Sequence, residues 1–265
     1  YGYFYDVEDY VDRYPVCWRC KEDLVFRLAS EWFIRSDEIR EPMKKAAAAV
    51  KWIPEYAGMH MQNWLDNMGD WCISRRRFWG LPLPFYRCEC GELTVIGSYQ
   101  QLKQQAVTGL DQLKELHRPW IDAVKVKCRK CGQVVSRVEE VGDCWLDAGI
   151  IPFSTLNYLH DPDYWRQWYP CHFITEMIEQ VRLWFYSLLF MSVTLENQSP
   201  YQTVMTYSAV VSQTGEMFSK SLGNAIPFDE AAEKMGADVM RWMYAAQNNR
   251  NPLRFGYKPA EEVRR

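Results

Sequence analysis

An α/β fold built on a parallel sheet is what the sequence predicts, and three observations carry that expectation. Residues 203–211 are rich in β-branched and aromatic residues and end at the turn-forming Gln213-Thr-Gly215, the pattern of a buried strand. Residues 179–194 place Val181, Trp184, Phe185, Leu188, Leu189 and Met191 at helical spacings. The composition is that of a globular chain, 48% apolar and 25% charged, which excludes a disordered or collagen-like polymer.

The elements follow in order. Residues 37–52 read as a helix with Ala46–Ala49 at its centre and Pro42 near the first turn, where a helix tolerates proline. Residues 62–68 read as a further helical piece. Gly80 to Pro84 breaks regular structure. Residues 87–140 change character: paired cysteines bracket a Gln- and Lys-rich stretch, as in a small inserted module. Residues 173–176 are an extended candidate, followed by the 179–194 helix and the 203–211 strand. Residues 228–235 and 237–246 read as helices interrupted at Gly236. Strands alternating with helices predict a ligand at the carboxyl ends of parallel strands.

Charge and cysteine usage narrow the class. With 31 Lys and Arg against 34 Asp and Glu, the net charge of -3 excludes a surface that is basic throughout. Residues 1–14 are acidic and aromatic, unlike a secretory leader, and residue 1 reads as the middle of a longer chain. The longest apolar stretch, 183–195, is shorter than the roughly 20 residues a membrane span needs. A soluble protein of a reducing, cytoplasmic compartment with no membrane partner is expected.

Of nine cysteines six sit in close pairs, and in a chain of this length close pairs read better as metal ligands than as the disulfide framework of a small secreted protein. Cys88-Glu-Cys90-Gly91 and Cys128-Arg-Lys-Cys131-Gly132 are two close pairs separated by a loop. Four thiolates so spaced suit tetrahedral Zn2+, each following glycine letting the backbone turn toward the sulfurs. Four protein ligands leave no open position, so the expected role is structural. Cys17-Trp-Arg-Cys20 repeats the pair without a second one to join it. It reads either as half of a second zinc site or as unligated thiols. Cys72, Cys144 and Cys171 are isolated and read as core residues.

The segment Gly215-Glu-Met-Phe-Ser219-Lys220-Ser221-Leu-Gly223-Asn224 follows the strand and precedes a helix. A hydroxyl-rich loop with one cation can close on a triphosphate, Lys220 countering charge on the leaving pyrophosphate. On its own such a tripeptide is equally an ordinary solvated loop. Three further blocks add to it. Trp71-Cys-Ile-Ser-Arg-Arg-Arg-Phe-Trp-Gly80 resembles the Trp-x-Ile-Ser-Arg-Gln-Arg-x-Trp-Gly block of class I aminoacyl-tRNA synthetases, and residues 215–224 resemble their KMSKS loop. Asp143-Cys-Trp145-Leu-Asp147-Ala-Gly149 resembles their Asp-x-Trp-Phe-Asp-Ser-Gly block. Glu176-Met-Ile-Glu179-Gln180-Val-Arg182-Leu-Trp184-Phe185 is similar to their Glu-Gly-x-Asp-Gln-x-Arg-Gly-Trp-Phe block. Gly80-Leu-Pro82-Leu-Pro84, residues 116–122 and residues 14–20 resemble the isoleucyl enzymes most.

That resemblance implies the C-terminal half of a Rossmann-like catalytic core, divided into a connective segment (1–86), a zinc-binding insertion (87–140) and the second half of the catalytic domain (141–265). It implies ATP with Mg2+, isoleucine and tRNA(Ile) as partners, with the rest of a synthetase chain. Lys220, with Ser219 and Ser221, would serve adenylation. Glu176, Glu179 and Gln180 would face the adenylate, and Trp145 and Trp184 would wall the isoleucine pocket. Read without the resemblance, Trp184 is equally a core residue, Glu179 and Arg182 a surface ion pair, and 75–77 a solvated charge run. The chain departs from the family's pattern in four places. No His-x-Gly-His occurs, Met217 stands where the loop's first lysine is expected, Met177 follows Glu176, and Leu183 precedes Trp184. These departures leave open a non-catalytic, zinc-stapled module binding amino acid or tRNA.

Overall fold

The computed structural model describes every residue except Tyr1, Phe4, Trp18, Phe78, Ser221 and Leu222. It forms two compact units, Tyr1–Trp32 and Phe33–Arg265. In the first, the chain turns back on itself between Val16 and Asp23, which form an antiparallel bridge. Tyr14 Oη donates to the Leu24 carbonyl at 2.7 Å and closes this loop.

The second unit begins with β1 (Phe33–Ile34), α1 (Asp37–Ala48), β2 (Lys51–Ile53), α2 (Glu55–Asn67), β3 (Trp71–Cys72) and β4 (Ser74–Arg75). Then come β5 (Phe85–Arg87), β6 (Leu93–Val95), α3 (Tyr99–Gln105), β7 (Ala106–Thr108), β8 (Lys125–Lys127), β9 (Val134–Ser136) and β10 (Val141–Gly142). The remainder holds α4 (Cys144–Gly149), α5 (Ile151–Ser154), α6 (Pro162–Trp168), β11 (Cys171–Met177), α7 (Trp184–Glu196), β12 (Tyr201–Tyr207) and β13 (Val210–Ser212). It closes with α8 (Phe228–Met235), α9 (Ala237–Ala245), β14 (Leu253–Phe255) and α10 (Tyr257–Arg264).

The expected parallel sheet is present. Its order is β11-β12-β2, with β12 central and parallel to both neighbours. Helices α1, α2 and α7 pack with it around Met43, Met61, Leu65, Phe185, Leu189 and Val204, all essentially inaccessible. Helix α7 is apolar nearly all round because it is buried nearly all round, and Tyr201 Oη bonds the Phe185 carbonyl at 3.0 Å to lock it to the sheet. It is too short to cross a membrane, as is every described helix. The cysteine-bounded region has its own core, centred on Tyr86, Val124 and Val126 beneath short antiparallel ladders. A third core joins α8, α9 and α10 to the parallel pair β13 and β14.

Several element boundaries differ from expectation: α2 begins at Glu55 rather than residue 62, β11 runs over Cys171–Met177 rather than 173–176, and three others differ for local reasons. Helix α1 stops at Ala48 rather than residue 52, because residues 51–53 are taken into the sheet as β2. Trp52 folds back, its Nε1 donating to the Ala47 carbonyl at 3.0 Å near the helix end. Pro42 is the sixth residue of α1, past its first turn. The 179–194 helix is divided at Leu183 (φ -122°, ψ -102°), with a 3-10 segment over Ile178–Arg182 before α7. The 203–211 strand is divided as well, because Ser208 N–H bonds the Asn249 carbonyl at 2.8 Å and β13 turns to pair with β14. Helices α8 and α9 meet at Gly236, whose φ of +90° suits glycine. Cys72 and Cys171 are partly buried, but Cys144 is exposed rather than a core residue.

Gly149 sets how closely α4 approaches α7. A Cβ there would lie 2.7 Å from the Ser187 carbonyl oxygen, which is backbone and cannot swing aside. Gly149→Ala is therefore expected to cost about 1–3 kcal/mol, as overpacking does, read as a lowered urea midpoint at unchanged slope.

Candidate functional site

The carboxyl ends of β11 and β12 lie side by side, Glu176 opposite Thr206 and Met177 opposite Tyr207. That end of a parallel sheet is where open α/β folds bind ligands. Tyr207 Oη donates to the Glu176 carboxylate, 2.8 Å from Oε1 and 3.1 Å from Oε2, and fixes its direction. Burial, and then this bond, push the Tyr207 phenol up to about 12, so it remains a donor at neutral pH. Immediately after β11, Gln180 Oε1 accepts from the Trp184 N–H at 3.0 Å, capping the first turn of α7. With its oxygen engaged, the amide of Gln180 has donors left to offer. Glu179 is exposed.

Trp184 and Trp145 are held by different means. The Trp184 indole donates to the Ala148 carbonyl on α4 at 3.1 Å. Trp145 starts α4 and lines a cavity of about 270 Å3 with Trp64, Trp71, Arg75, Arg182 and Tyr186. Trp184 does not line that cavity. Arg182 stands over the Trp64 ring, 6.0 Å from its centroid.

Asp143 ties the two sequence blocks together. Its side chain is 3% exposed. Oδ1 caps α4 by accepting from the Trp145 N–H at 3.1 Å. Oδ2 accepts from Trp71 Nε1 at 3.1 Å and from Arg75 Nη2 at 2.5 Å. The Asp143 N–H donates to the Ile73 carbonyl at 2.8 Å. Arg75 is thus an ion-pair partner rather than one of a solvated run. Nearby, Trp79, Gly80, Glu115, His117, Arg118 and Asp147 line a pocket of about 450 Å3. Burial holds the Asp147 carboxyl above its ordinary value there.

The Ser219–Lys220 loop follows a bridge between Val211 and Met217. Asn224 braces it from both sides, its Oδ1 accepting from the Ser219 N–H at 2.7 Å and its Nδ2 donating to the Met217 carbonyl at 3.0 Å. Lys220 is exposed, and its carbonyl accepts from the Gly223 N–H at 3.3 Å. Ser221 lies outside the described residues.

Cys88, Cys90, Cys128 and Cys131 converge, with all four sulfurs within 4.8 Å of one another. Cys88 and Cys131 Sγ are 3.4 Å apart, and Cys90 and Cys128 Sγ 3.7 Å. Tetrahedral coordination with 2.3 Å Zn–S bonds requires separations of about 3.8 Å. The donor set and spacing fit such an ion. The turns are built alike. Cys128 N–H bonds the Gln133 carbonyl and Gly132 N–H returns to the Cys128 carbonyl, with Gly132 at φ +78°. In the shorter turn Cys88 N–H bonds the Glu92 carbonyl and Gly91 N–H the Cys88 carbonyl. Backbone N–H groups, that of Cys131 foremost, hold the Cys128 thiol down to about 6.

The first unit repeats the longer turn. Cys17 N–H bonds the Glu22 carbonyl and Lys21 N–H the Cys17 carbonyl, both at 2.8 Å, with Lys21 at φ +65° where Gly132 stands in the other. The Cys20 backbone N–H lowers the Cys17 thiol.

Motif reading found the carboxylate, the tryptophans and the sulfurs, but it missed Tyr207 and the roles of Asp143, Arg75 and Asn224. Tyr207 lies in the middle of the 203–211 run, where it reads as one more strand aromatic, and only the structure ends β12 there. Asp143 and Arg75 pair across 68 positions, whereas Asn224 acts within its own loop, five and seven positions from its partners.

A parallel sheet with acidic and amide groups at its carboxyl ends, followed by a braced Ser-Lys loop, is an α/β core with polar side chains at the end where such sheets bind ligands. The chain belongs to the family of class I tRNA synthetases (I, L, M and V), whose model matches residues 7–255. Its curated relatives include isoleucine–tRNA ligases. That of Methanopyrus kandleri is 40% identical over 258 residues, covering 91% of this chain and 24% of that protein. That of Saccharolobus solfataricus is 37% identical over 256 residues, covering 96% of this chain and 26% of that protein. The chain thus spans about a quarter of the length of these relatives. Among solved structures it resembles a LeuRS–tRNA–LeuAMS ternary complex from Agrobacterium radiobacter K84, with TM-score 0.53, 22% identity, 74% of this chain and 26% of that one. It also resembles Mycobacterium tuberculosis methionyl-tRNA synthetase bound by methionyl-adenylate, with TM-score 0.52, 14% identity, 88% of this chain and 36% of that one. At these identities the structures report on fold alone.

Removing the charge of Asp143 while keeping its shape tests the tie between the two blocks. Asp143→Asn should lower stability by about 1.5–3 kcal/mol, the range for hydrogen bonds to a charged group, measured by urea denaturation.

Proposed function

We propose that this chain is the second half of the catalytic core of an isoleucine–tRNA ligase, comprising a connective segment and entry to the catalytic core (1–86), whose β2 joins the central sheet, a zinc-binding insertion (87–140) and the second half of the catalytic domain (141–265). The observation that carries the reading is the Glu176–Tyr207 pair at the carboxyl ends of β11 and β12, with the Gln180 amide beside it. In the reaction, isoleucine's carboxylate attacks the α-phosphate of ATP, brought with Mg2+, and pyrophosphate leaves. The acyl group then passes to the terminal ribose of tRNA(Ile). Glu176, oriented by Tyr207, accepts from the substrate's ammonium group or from ribose hydroxyls. Gln180, whose oxygen caps α7, donates to adenylate oxygens, and Glu179 lies at their edge. Trp145, which lines the cavity of about 270 Å3, offers a flat wall that selects a branched aliphatic side chain by shape; Trp184, assigned with it by the resemblance, does not line that cavity. Lys220, on a loop whose shape Ser219, Ser221 and Asn224 set, counters charge building on the pyrophosphate. The relatives' identity as isoleucine–tRNA ligases supports the choice of amino acid.

The chain has no His-x-Gly-His. Isoleucine-dependent ATP–pyrophosphate exchange is therefore expected only when a synthetase N-terminal half bearing that motif is supplied. In that mixture Lys220→Ala should raise the barrier by about 2–4 kcal/mol, as loss of one transition-state donor does. Equal exchange with and without the added half, or an undiminished Lys220→Ala rate, would reject the assignment. Loss of exchange under every condition would favour a binding module instead.

We further propose that Cys88, Cys90, Cys128 and Cys131 hold a structural Zn2+, and that Cys17 and Cys20 form half of a second site. The ion would supply four bonds to thiolate and no chemistry to the substrate. Each ligand must lose its proton, so affinity rises with pH and falls on acidification. Metal analysis of the purified chain should find zinc that is released as pH drops below about 6 and is lost in the Cys88→Ser/Cys131→Ser double variant. A metal-free chain with four reactive thiols at pH 7.5 would overturn the site.

A further inference from the structure

The short ladder that carries the Ser219–Lys220 loop brings a second cation to it. Strand β13 is paired on both edges, with Val211 opposite Arg254 of β14 on one side and opposite Met217 on the other. Residues opposite one another in a ladder point to the same face, and successive residues to opposite faces. Met217, Val211 and Arg254 therefore share one face. Burial agrees with this alternation. Phe218 and Phe255, each one position further on, pack in the core beneath, their ring centroids 6.5 Å apart. Met217 is 59% exposed and Arg254 is exposed, while Val211 between them is covered.

The Arg254 side chain lies against the root of the loop. A Cβ at Gly215 would lie 3.6 Å from its Nη2, 3.9 Å from Cζ and 4.0 Å from Nε, so the guanidinium stands beside that turn, two residues before Met217. It has no hydrogen bond or ion pair among the described residues. Two acids come near without pairing with it. Glu216 Oε2 accepts from Thr214 Oγ1 at 3.3 Å, and Glu262 borders a shallow pocket with Arg254.

Lys220 belongs to the same loop, three residues after Met217, and Asn224 Nδ2 ties that loop back to the Met217 carbonyl at 3.0 Å. Neighbouring strands lie about 4.8 Å apart, so about 10 Å separates the Met217 and Arg254 backbones, a gap that the long arginine stem partly spans. A guanidinium is permanently charged, can only donate, and offers a fork that matches two oxygens of one phosphate. Met217 contributes no charge to this face, whereas Arg254 contributes one that no carboxylate neutralises.

We propose that Arg254 is the second phosphate-binding cation of this loop, contacting the two outer phosphates of ATP alongside Lys220 and supplying the charge that Met217 lacks. The inference rests on the reading of residues 215–224 as the triphosphate loop.

Tripolyphosphate is the probe, titrated into the full chain in zinc-containing buffer and followed by the backbone amide resonances of Gly215, Gly223 and Asn224. Saturable shifts are expected. Arg254→Gln should weaken binding about tenfold or more, the scale of a hydrogen bond to a charged group, at an unchanged melting temperature because the side chain is exposed. Adding Met217→Lys to Arg254→Gln should bring affinity back to within about twofold of the unsubstituted chain, since a cation on the same face replaces the one removed. A purely structural role for Arg254 would show no such rescue, and its absence would overturn the proposal. Affinity unchanged in Arg254→Gln, with the shifts lost in Lys220→Ala, would overturn the role of Arg254 and leave the loop assignment standing. No saturable shift in the unsubstituted chain would overturn both.

Discussion

The carboxylate of Asp143 is the point on which the site's geometry turns. It receives bonds from Trp71, Arg75 and the first turn of α4, and its own backbone N–H reaches back to Ile73. Two segments about seventy positions apart are thereby held in one orientation, with the whole cysteine-bounded insertion between them. A buried carboxylate is tolerated only because each of its oxygens is served. The same bonds aim Trp145 into its cavity and set α4 for its close approach to α7, which Gly149 permits and the Trp184–Ala148 bond fastens. Position of the tryptophans is thus a consequence of electrostatics one helical turn away.

The sheet end depends on a complementary device. Glu176 and Tyr207 are brought together by strand register, and Gln180 both ends the segment after β11 and begins α7. Leu183 adopts the irregular conformation that this cap demands. Leu183 joins the 3-10 segment over Ile178–Arg182 to the buried helix α7.

How much of this was legible follows the range of the interactions. Periodicity located α7, α8 and α9, and the two cysteine pairs announced their convergence, because spacing within a few residues encodes local geometry. Residues 51–53 were misplaced because Lys51-Trp-Ile53 follows an alanine run without a breaker, and only pairing with β12 draws them into a strand. The 203–211 run was split by a bond from Asn249, far along the chain. Among site residues, Glu176, Trp145, Trp184 and Lys220 came from motif order. Tyr207 meets Glu176 across 31 positions through strand register, so no spacing rule announced it, and Asn224 braces its own loop through side-chain bonds that a loop motif does not encode.

The four sulfurs also bear on when this region can fold at all. Cys90 and Cys128 stand at the two ends of a loop that carries α3, β7 and β8. Drawing the ends of a chain that long together costs about 3 kcal/mol in lost configurational entropy. The core available to offset it is small, with Tyr86, Val124 and Val126 its largest fully buried members. An ion joining the turns would lift that penalty from the folded state's account with its surroundings and make folding of the insertion a function of metal supply.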